Sequence, residues 1–319
     1  MELWSKKLST LSFKINMQDK KVIKKLITHD GSFHTDDIFA CAVLSMLLES
    51  KKEKFEIIRT RDKEIIKNGD YVFDVGGIYD SDKNRFDHHQ TGGAGERGGI
   101  PYASFGLVWL KFGLDIAGKK EVVDLIERKL VMPVDADDNG VNLYKNNFPN
   151  ILPYTLQNVF AIFSPTSLEN MERNDQFLKA LEWAKEILKR EIKKSNDQIE
   201  ITKIIRDFYK KSKDRRLIIV DTLKVSRFEI WDALQDFEEP LFVVSGDNED
   251  WFVVAMRKEK NNFGNRKDLP ASWAGLKDKQ LQDVTGVSDA IFCHNNLFLA
   301  VAKSKKGAIA LAQKALTSQ

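Results

Sequence analysis

Four of the five histidines in this 319-residue chain fall between positions 29 and 89, in segments that also carry carboxylates. The segments read "HDGSFHTDD", with His29, His34 and Asp36; "YVFDVGG", with Asp74; and "FDHHQTGG", with Asp87, His88 and His89. A later acid-rich stretch, "DADDNG", adds Asp135, Asp137 and Asp138. Imidazole mixed with carboxylate is the donor set of a divalent transition ion such as Mn²⁺, Zn²⁺ or Fe²⁺, whereas Mg²⁺ and Ca²⁺ favour all-oxygen cages. The candidates outnumber what one ion needs, and two ions sharing a carboxylate would use most of them. Two ions about 3.5–4 Å apart can clamp the attacking and leaving oxygens of a phosphoryl transfer. Metal-dependent phosphoester hydrolysis is the chemistry these residues suit.

Each segment taken singly has an ordinary explanation, since Asp-rich turns commonly serve as solvated caps and surface histidines usually need no function. Their combination argues otherwise, and Asp74 weighs most. "YVFDVGG" drops a carboxylate into an otherwise apolar strand, where an unpaired charge is costly and a metal would compensate it. Gly76 and Gly77 behind it permit positive φ or a close backbone approach.

The elements around these residues alternate. "VIKKLIT" reads as a strand, "DDIFACAVLSMLLES" as a helix capped by Thr35 or Asp36, "FEIIRT" as a strand, "DKEIIKNG" as a short helix and "DYVFDVGG" as a buried strand. Such alternation predicts an α/β fold whose N-terminal sheet is mostly parallel, with helices on both faces. Ligands bind such sheets beyond the carboxyl ends of the strands, where the polar segments fall. "ASFGLVWLKFG" and "KEVVDLIERKLVMPVDADDNG" read as further helices, the latter passing into the acid-rich turn. The segment from Gly140 to about Ser167 reads as irregular, and a long amphipathic helix follows with Phe177, Leu181, Ala184, Leu188 and Ile192 on one stripe. The second half, with "RRLIIVD", "PLFVVSG", "WFVVAM" and "LFLAVA", predicts a smaller C-terminal α+β domain. The expected organisation is a metal-binding domain over 20–165, a helical bridge over 166–212 and a substrate-binding domain over 213–319.

Composition excludes little. The chain has 42% apolar and 30% charged residues, as ordinary globular proteins do, and 50 basic against 47 acidic residues, a balance that does not by itself call for nucleic acid. Cys41 and Cys293 sit apart in apolar stretches and read as buried thiols of a reducing compartment. No apolar run is long enough to span a bilayer, so the expectation is a cytoplasmic protein without a membrane partner. The stretch before Met17 reads as an extended tail in preference to a transit peptide. In the second half Arg257, Lys258, Lys260, Arg266 and Lys267 surround "NNFG" and Phe263, with Trp273 close behind. Cations with an aromatic can hold a phosphodiester backbone and stack a base; a solvated basic loop beside core aromatics fits the same residues.

The ordered set "THDGSFHTDD", "EIIRTRD", "VFDVGGIYD", "RFDHHQ", "GIPYASFGLVW" and "DADDNG" resembles the Asp-His-His (DHH) phosphoesterase superfamily, and within it the melanocyte-proliferating-gene-one exonuclease family, long labelled metal-dependent protein hydrolases. The resemblance continues through "NNFGNRKDLPASWAGLKDKQL", "VTGVSDAIFCHNNLF" and "KKGAIALAQKAL", covering nearly the whole chain after Leu26. It implies a two-domain phosphoesterase with a two-ion site, usually manganese with Mg²⁺ as the alternative, at the foot of a cleft between domains. It implies that His29, His34 and Asp74 hold one ion and that Asp36, Asp74, His88 and either Asp135 or Asp138 hold the other, with Asp74 bridging. His34 stands where many superfamily members have an aspartate, and more nitrogen donors favour a transition metal.

The remaining members of the Asp-His-His run then take roles. Asp87 is expected to orient a ligand imidazole, and His89 to face the substrate and donate to a phosphate oxygen or leaving group. The resemblance also implies 3′-to-5′ exonuclease action on single-stranded RNA or oligonucleotides, with Arg257, Arg266 and His294 contacting substrate, and it is compatible with a homo-oligomer. The nucleophile would be a metal-activated hydroxide, with no protein nucleophile required. Two other classes stay open on sequence: a phosphoanhydride or small-nucleotide hydrolase, and a non-catalytic RNA-binding module that retains a metal.

Overall fold

The computed structural model describes residues 23–222, 225–247, 249–259 and 264–318. The tail before Met17, Lys260 and Phe263 lie outside the described residues. The chain divides into two compact units, Met1–Ile192 and Lys193–Gln319.

The first unit is built on β1 (Lys24–Thr28), α1 (Thr35–Ser50), β2 (Phe55–Arg59), α2 (Lys63–Lys67), β3 (Tyr71–Phe73), β4 (Tyr79–Asp80) and β5 (Arg85–Phe86). The strand order is β2-β1-β3-β5-β4, parallel throughout except for the edge pair β4 and β5. Successive side chains alternate between the faces. Ile27 and Val72 pack with Ile66 of α2 on one face. On the other, Tyr71 and Phe86 meet Phe112 edge-on.

The short hairpin β6 (Glu96–Arg97) and β7 (Ile100–Pro101) leads into α3 (Ser104–Ala117), α4 (Lys120–Ile126), a π-helical turn over Glu127–Val131, and α5 (Met132–Asp138). The predicted acid-rich turn is therefore the end of a helix. α6 (Leu156–Ala161) interrupts the segment expected to be irregular, and its Phe160 is buried against Phe39. α1 is buried on nearly all sides, which suits a helix apolar around its circumference. Its N-cap is His34, one residue before the expected cap, and the His34 amide donates to Asp37 Oδ1 at 2.9 Å.

α7 (Arg173–Lys211) is the long amphipathic helix and contains the boundary between the units. The second unit continues with β8 (Leu217–Val220), α8 (Arg227–Leu234), β9 (Phe242–Gly246), β10 (Trp251–Ala255), α9 (Asp278–Thr285), β11 (Ala290–Cys293), β12 (Leu299–Ala302) and α10 (Lys305–Thr317). Its sheet runs β11-β12-β10-β9-β8, antiparallel except for β8 beside β9. Val244 and Val253 pack under Leu281 and Leu311, while Val243 and Val254 pack under Ile205 and Ile230. This is the expected smaller α+β domain, with β11 the strand that sequence patterning does not single out. No described helix is long and apolar enough to cross a membrane.

Phe39 ties α1 to two neighbours, with ring centroids 5.2 Å from Phe105 and 5.3 Å from Phe160. Truncation to Phe39→Ala should destabilise the protein by about 3–5 kcal/mol, read as a lowered urea midpoint for the first unit.

Candidate metal centre

Three parallel neighbours, β1, β3 and β5, end side by side and pass directly into the polar segments. β1 gives way to His29, β3 to Asp74, and β5 to Asp87, His88 and His89. α1 then contributes Asp36 and Asp37 from its first turn, and α5 contributes Asp138 from its last residue.

Asp74 stands at the middle. It is buried, and its φ of 53° is left-handed, a conformation aspartate adopts more readily than most residues. Its amide still donates to the Phe86 carbonyl at 3.2 Å, so pairing with β5 continues into the turn. Asp74 Oδ2 lies 3.2 Å from His29 Nε2, while Oδ1 lies 3.4 Å from His88 Nε2 and 3.5 Å from His89 Nδ1.

Hydrogen bonding fixes what these rings offer. His29 Nδ1 lies 2.9 Å from the Asp30 carbonyl, which can only accept, so Nδ1 carries the hydrogen and Nε2 faces the site. That Nε2 meets Asp74 Oδ2 and, at 3.3 Å, Asp37 Oδ2. A lone pair facing two carboxylates is unfavourable unless a proton or a metal cation lies between them. His88 Nε2 is in the same position, 3.2 Å from Asp138 Oδ2. Asp37 Oδ2, Asp74 Oδ1 and His88 Nε2 are buried without a hydrogen-bond partner, which is the signature of groups prepared for a cation. Among the described residues three sets of donor atoms each lie within 4.8 Å of one another: His29, His34 and Asp74; Asp74, His88 and His89; Asp36, His88 and Asp138.

Protonation equilibria report the same crowding. Burial opposes the charged form of His29, yet Asp74 and Asp37 outweigh it and raise the imidazole to about 9. For His88 burial is likewise overcome, by Asp138 and Asp74, and the ring rises to about 11. Burial and the charge of Asp74 push Asp37 up to about 7, and burial with Asp138 and Asp74 pushes Asp36 upward. Asp74 is held low: burial would raise it, but His29 and His88 stabilise its anion.

Neighbouring residues settle into distinct surroundings. Asp36 Oδ1 and Oδ2 accept from Phe105 N at 2.7 Å and Ser104 N at 3.1 Å, the amides that open α3, where the helix dipole favours an anion. Asp87 Oδ2 accepts from Gly77 N at 2.5 Å, and its Oδ1 accepts from His89 Nδ1 at 2.7 Å. Asp87 thus orients His89 and leaves Nε2 of that ring, on a side chain 62% exposed, facing outward. The cluster opens into a pocket of about 640 Å³ whose lining includes His29, His34, Asp74, His89 and Arg61.

Some expected residues stand elsewhere. Asp135 is fully buried and engaged with other partners, accepting from Gly106 N at 3.0 Å and paired with Arg97 Nη2 at 2.7 Å, so Asp138 is the acid of this helix that lies among the donors. Arg266, expected to contact substrate, spends its guanidinium on the backbone carbonyls of Gln235, Phe237, Pro240 and Arg257. Lys267 donates to the carbonyls of Leu316 and Ser318, and Trp273 is in the core. The Arg257 guanidinium lies 3.7 Å over the Trp231 ring. His294 accepts from Asn296 N through Nδ1 and rests 4.3 Å from the Phe298 ring. Asp37 and Arg61 were not sequence candidates. The third helical position of Asp37, where an acid reaches back to the cap amide, was the legible signal for it.

A family model described as an uncharacterised protein family (UPF0160), MYG1_exonuc, matches residues 25–316. The chain belongs to this family. It is 28% identical over 337 residues to the MYG1 exonuclease of Homo sapiens, covering 92% of this chain and 85% of the relative. It is 32% identical over 292 residues to the MYG1 protein of Chlamydia muridarum (strain MoPn / Nigg), covering 88% and 92%. Among solved structures it is similar, at 10% identity and a TM-score of 0.30, to RecJ in complex with Mn²⁺ from Thermus thermophilus, covering 93% of this chain and 52% of that one.

The raised His29 gives a signed pH dependence. Without metal, its imidazolium stabilises the fold fully below its ordinary value of 6.5, and that contribution is lost as pH rises towards about 9. The melting temperature measured in chelator should therefore fall across this interval, and Mn²⁺ should remove the fall by taking the place of the proton. A chelated MYG1-family chain whose melting temperature stays level there would contradict the geometry.

Proposed function

We propose that this protein is a metal-dependent phosphodiester hydrolase, a 3′-to-5′ exonuclease acting on single-stranded RNA or short oligonucleotides. The observation that carries the proposal is the convergence of imidazole nitrogens and buried carboxylates on Asp74, with orphaned polar atoms that a cation would satisfy. The exonuclease names of its mammalian relatives favour a polynucleotide substrate. In this reading His29, His34 and Asp74 hold one divalent ion, Asp36, Asp74, His88 and Asp138 hold a second, and manganese suits a donor set of three imidazoles and three carboxylates. The two free, buried cysteines accord with a cytoplasmic setting.

When bound, the ions supply a water-derived nucleophile near neutral pH and offset charge developing on the phosphoryl oxygens. The protein's own residues supply position and a proton. Asp36, held by the amides of α3, and Asp74, held in its left-handed turn, keep their carboxylates fixed before the substrate arrives. His89 donates its Nδ1 hydrogen to Asp87, whose carboxylate raises the basicity of the ring and favours its protonated form. Its outward Nε2–H then donates to the oxygen that leaves phosphorus. For attack at the terminal phosphodiester this is the 3′ oxygen of the preceding nucleotide, and the products are a nucleoside 5′-monophosphate and a strand shorter by one.

Mn²⁺-dependent degradation of a 5′-labelled oligoribonucleotide tests the reading. The wild type should give a descending ladder. Asp74→Asn should lower the rate by roughly 10³-fold or more with loss of Mn²⁺ binding, whereas His89→Gln should lower the rate by about 10²–10⁴-fold while Mn²⁺ still binds. Cleavage confined to pyrophosphate or nucleoside polyphosphates would refute the nuclease assignment.

A further inference from the structure

We infer that a single-stranded polynucleotide leaves the metal pocket along α2, in a basic groove of the first unit, with Arg61 where pocket and groove meet. The inference rests on the phosphodiesterase reading above and adds the path of the polymer. The groove has a volume of about 600 Å³, and Arg61, Val75, Gly76 and Gly77 line both it and the metal pocket. Gly76 and Gly77, at φ 102° and 68°, put bare backbone at the junction, so no side chain of theirs divides the two spaces.

The walls are cationic. Lys63 and Lys67 lie four residues apart on α2, where like charges repel, and both are exposed. Neither ammonium has an ion-pair or hydrogen-bond partner among the described residues. The nearby Asp62 is engaged in its own helix, accepting from the amides of Glu64 and Ile65. Arg61 meets Asp30 at 3.3 Å, and both side chains are more than half exposed, a contact that a phosphate displaces readily. Arg85 completes the groove, its guanidinium fixed by the carbonyls of Lys67, Lys83 and Asn84.

The floor is apolar, formed by Ile66, Val72 and the half-exposed Ile78. Cationic walls over an apolar floor match a strand whose phosphates and bases face different surroundings. A mononucleotide or pyrophosphate would occupy the metal pocket alone and leave the groove unused. A polymer uses both, and an anionic chain beside Lys63 and Lys67 relieves their mutual repulsion.

The test compares the Mn²⁺-loaded full-length wild type with Lys63→Glu/Lys67→Glu and with Arg61→Ala. Binding of a fluorescent phosphorothioate-linked single strand, which keeps its charges and resists hydrolysis, is followed by anisotropy across a salt series. Turnover of a long oligoribonucleotide and of a dinucleotide is measured in parallel. The double variant should bind the long strand at least tenfold more weakly and lower the log–log salt slope by about 1.4, the loss of two phosphate contacts. Its dinucleotide turnover and Mn²⁺ affinity should match the wild type, and Arg61→Ala should impair both substrates. Equal strand affinity in wild type and double variant, no strand binding by the wild type, or equal binding of a polyglutamate peptide would each overturn the inference. Lysine-dependent strand binding without cleavage under any metal would uphold the groove and refute the nuclease reading, whereas cleavage indifferent to both lysines would do the reverse.

Discussion

A buried carboxylate facing three imidazoles is the constraint on which the rest of this structure depends. Asp74 leaves β3 in a left-handed turn, keeps one backbone hydrogen bond to β5, and aims both oxygens at ring nitrogens that it shares with Asp37, Asp138 and Asp87. An isolated carboxylate at that depth would be neutralised by protonation. The histidines reverse that outcome, and they in turn are held beyond their ordinary range by the acids. Metal-free, the cluster survives by sharing protons. In the proposed metal-bound state the same atoms would form the ligand set, already held in place by the proton-sharing arrangement.

Everything around Asp74 serves to aim donors at it. The parallel order of β1, β3 and β5 brings three loops to one edge, and the buried α1 fixes Asp36 and Asp37 on its first turn. Arg97 contacts Glu127 in the π turn and Asp135 in α5, and its guanidinium lies 4.2 Å from the Tyr102 ring. The π turn inserts a residue into the helical repeat and so sets the phase at which α5 presents its acids. Asp135 is thereby committed to Arg97 and to the Gly106 amide at the start of α3, leaving Asp138 to reach His88.

Much of this was legible in the sequence because the donors lie in short polar segments directly after apolar strands, where a parallel sheet gathers them. The choice between Asp135 and Asp138 was not, because three residues on a helix differ by about 60° in direction and the π turn upstream leaves no compositional mark. Arg266 misled for a related reason. An arginine in an Asn- and Gly-rich loop reads as solvated, and nothing local reveals that it reaches back to carbonyls at Gln235, Phe237 and Pro240. Asp37 was passed over because Asp36 beside it already supplied the expected acid of this helix, although its third helical position marked it. Lys63 and Lys67 carried no signal until the groove beside them was seen to share residues with the metal pocket.

The central claim is that Asp74 is shared between two cations. Anomalous scattering at the manganese edge, from crystals grown with Mn²⁺, tests it most directly. The account predicts two peaks, each in contact with an Asp74 oxygen, one beside His29 and the other beside His88 and Asp138. A single peak that excludes Asp74, or density coordinated instead by Asp135, would contradict it.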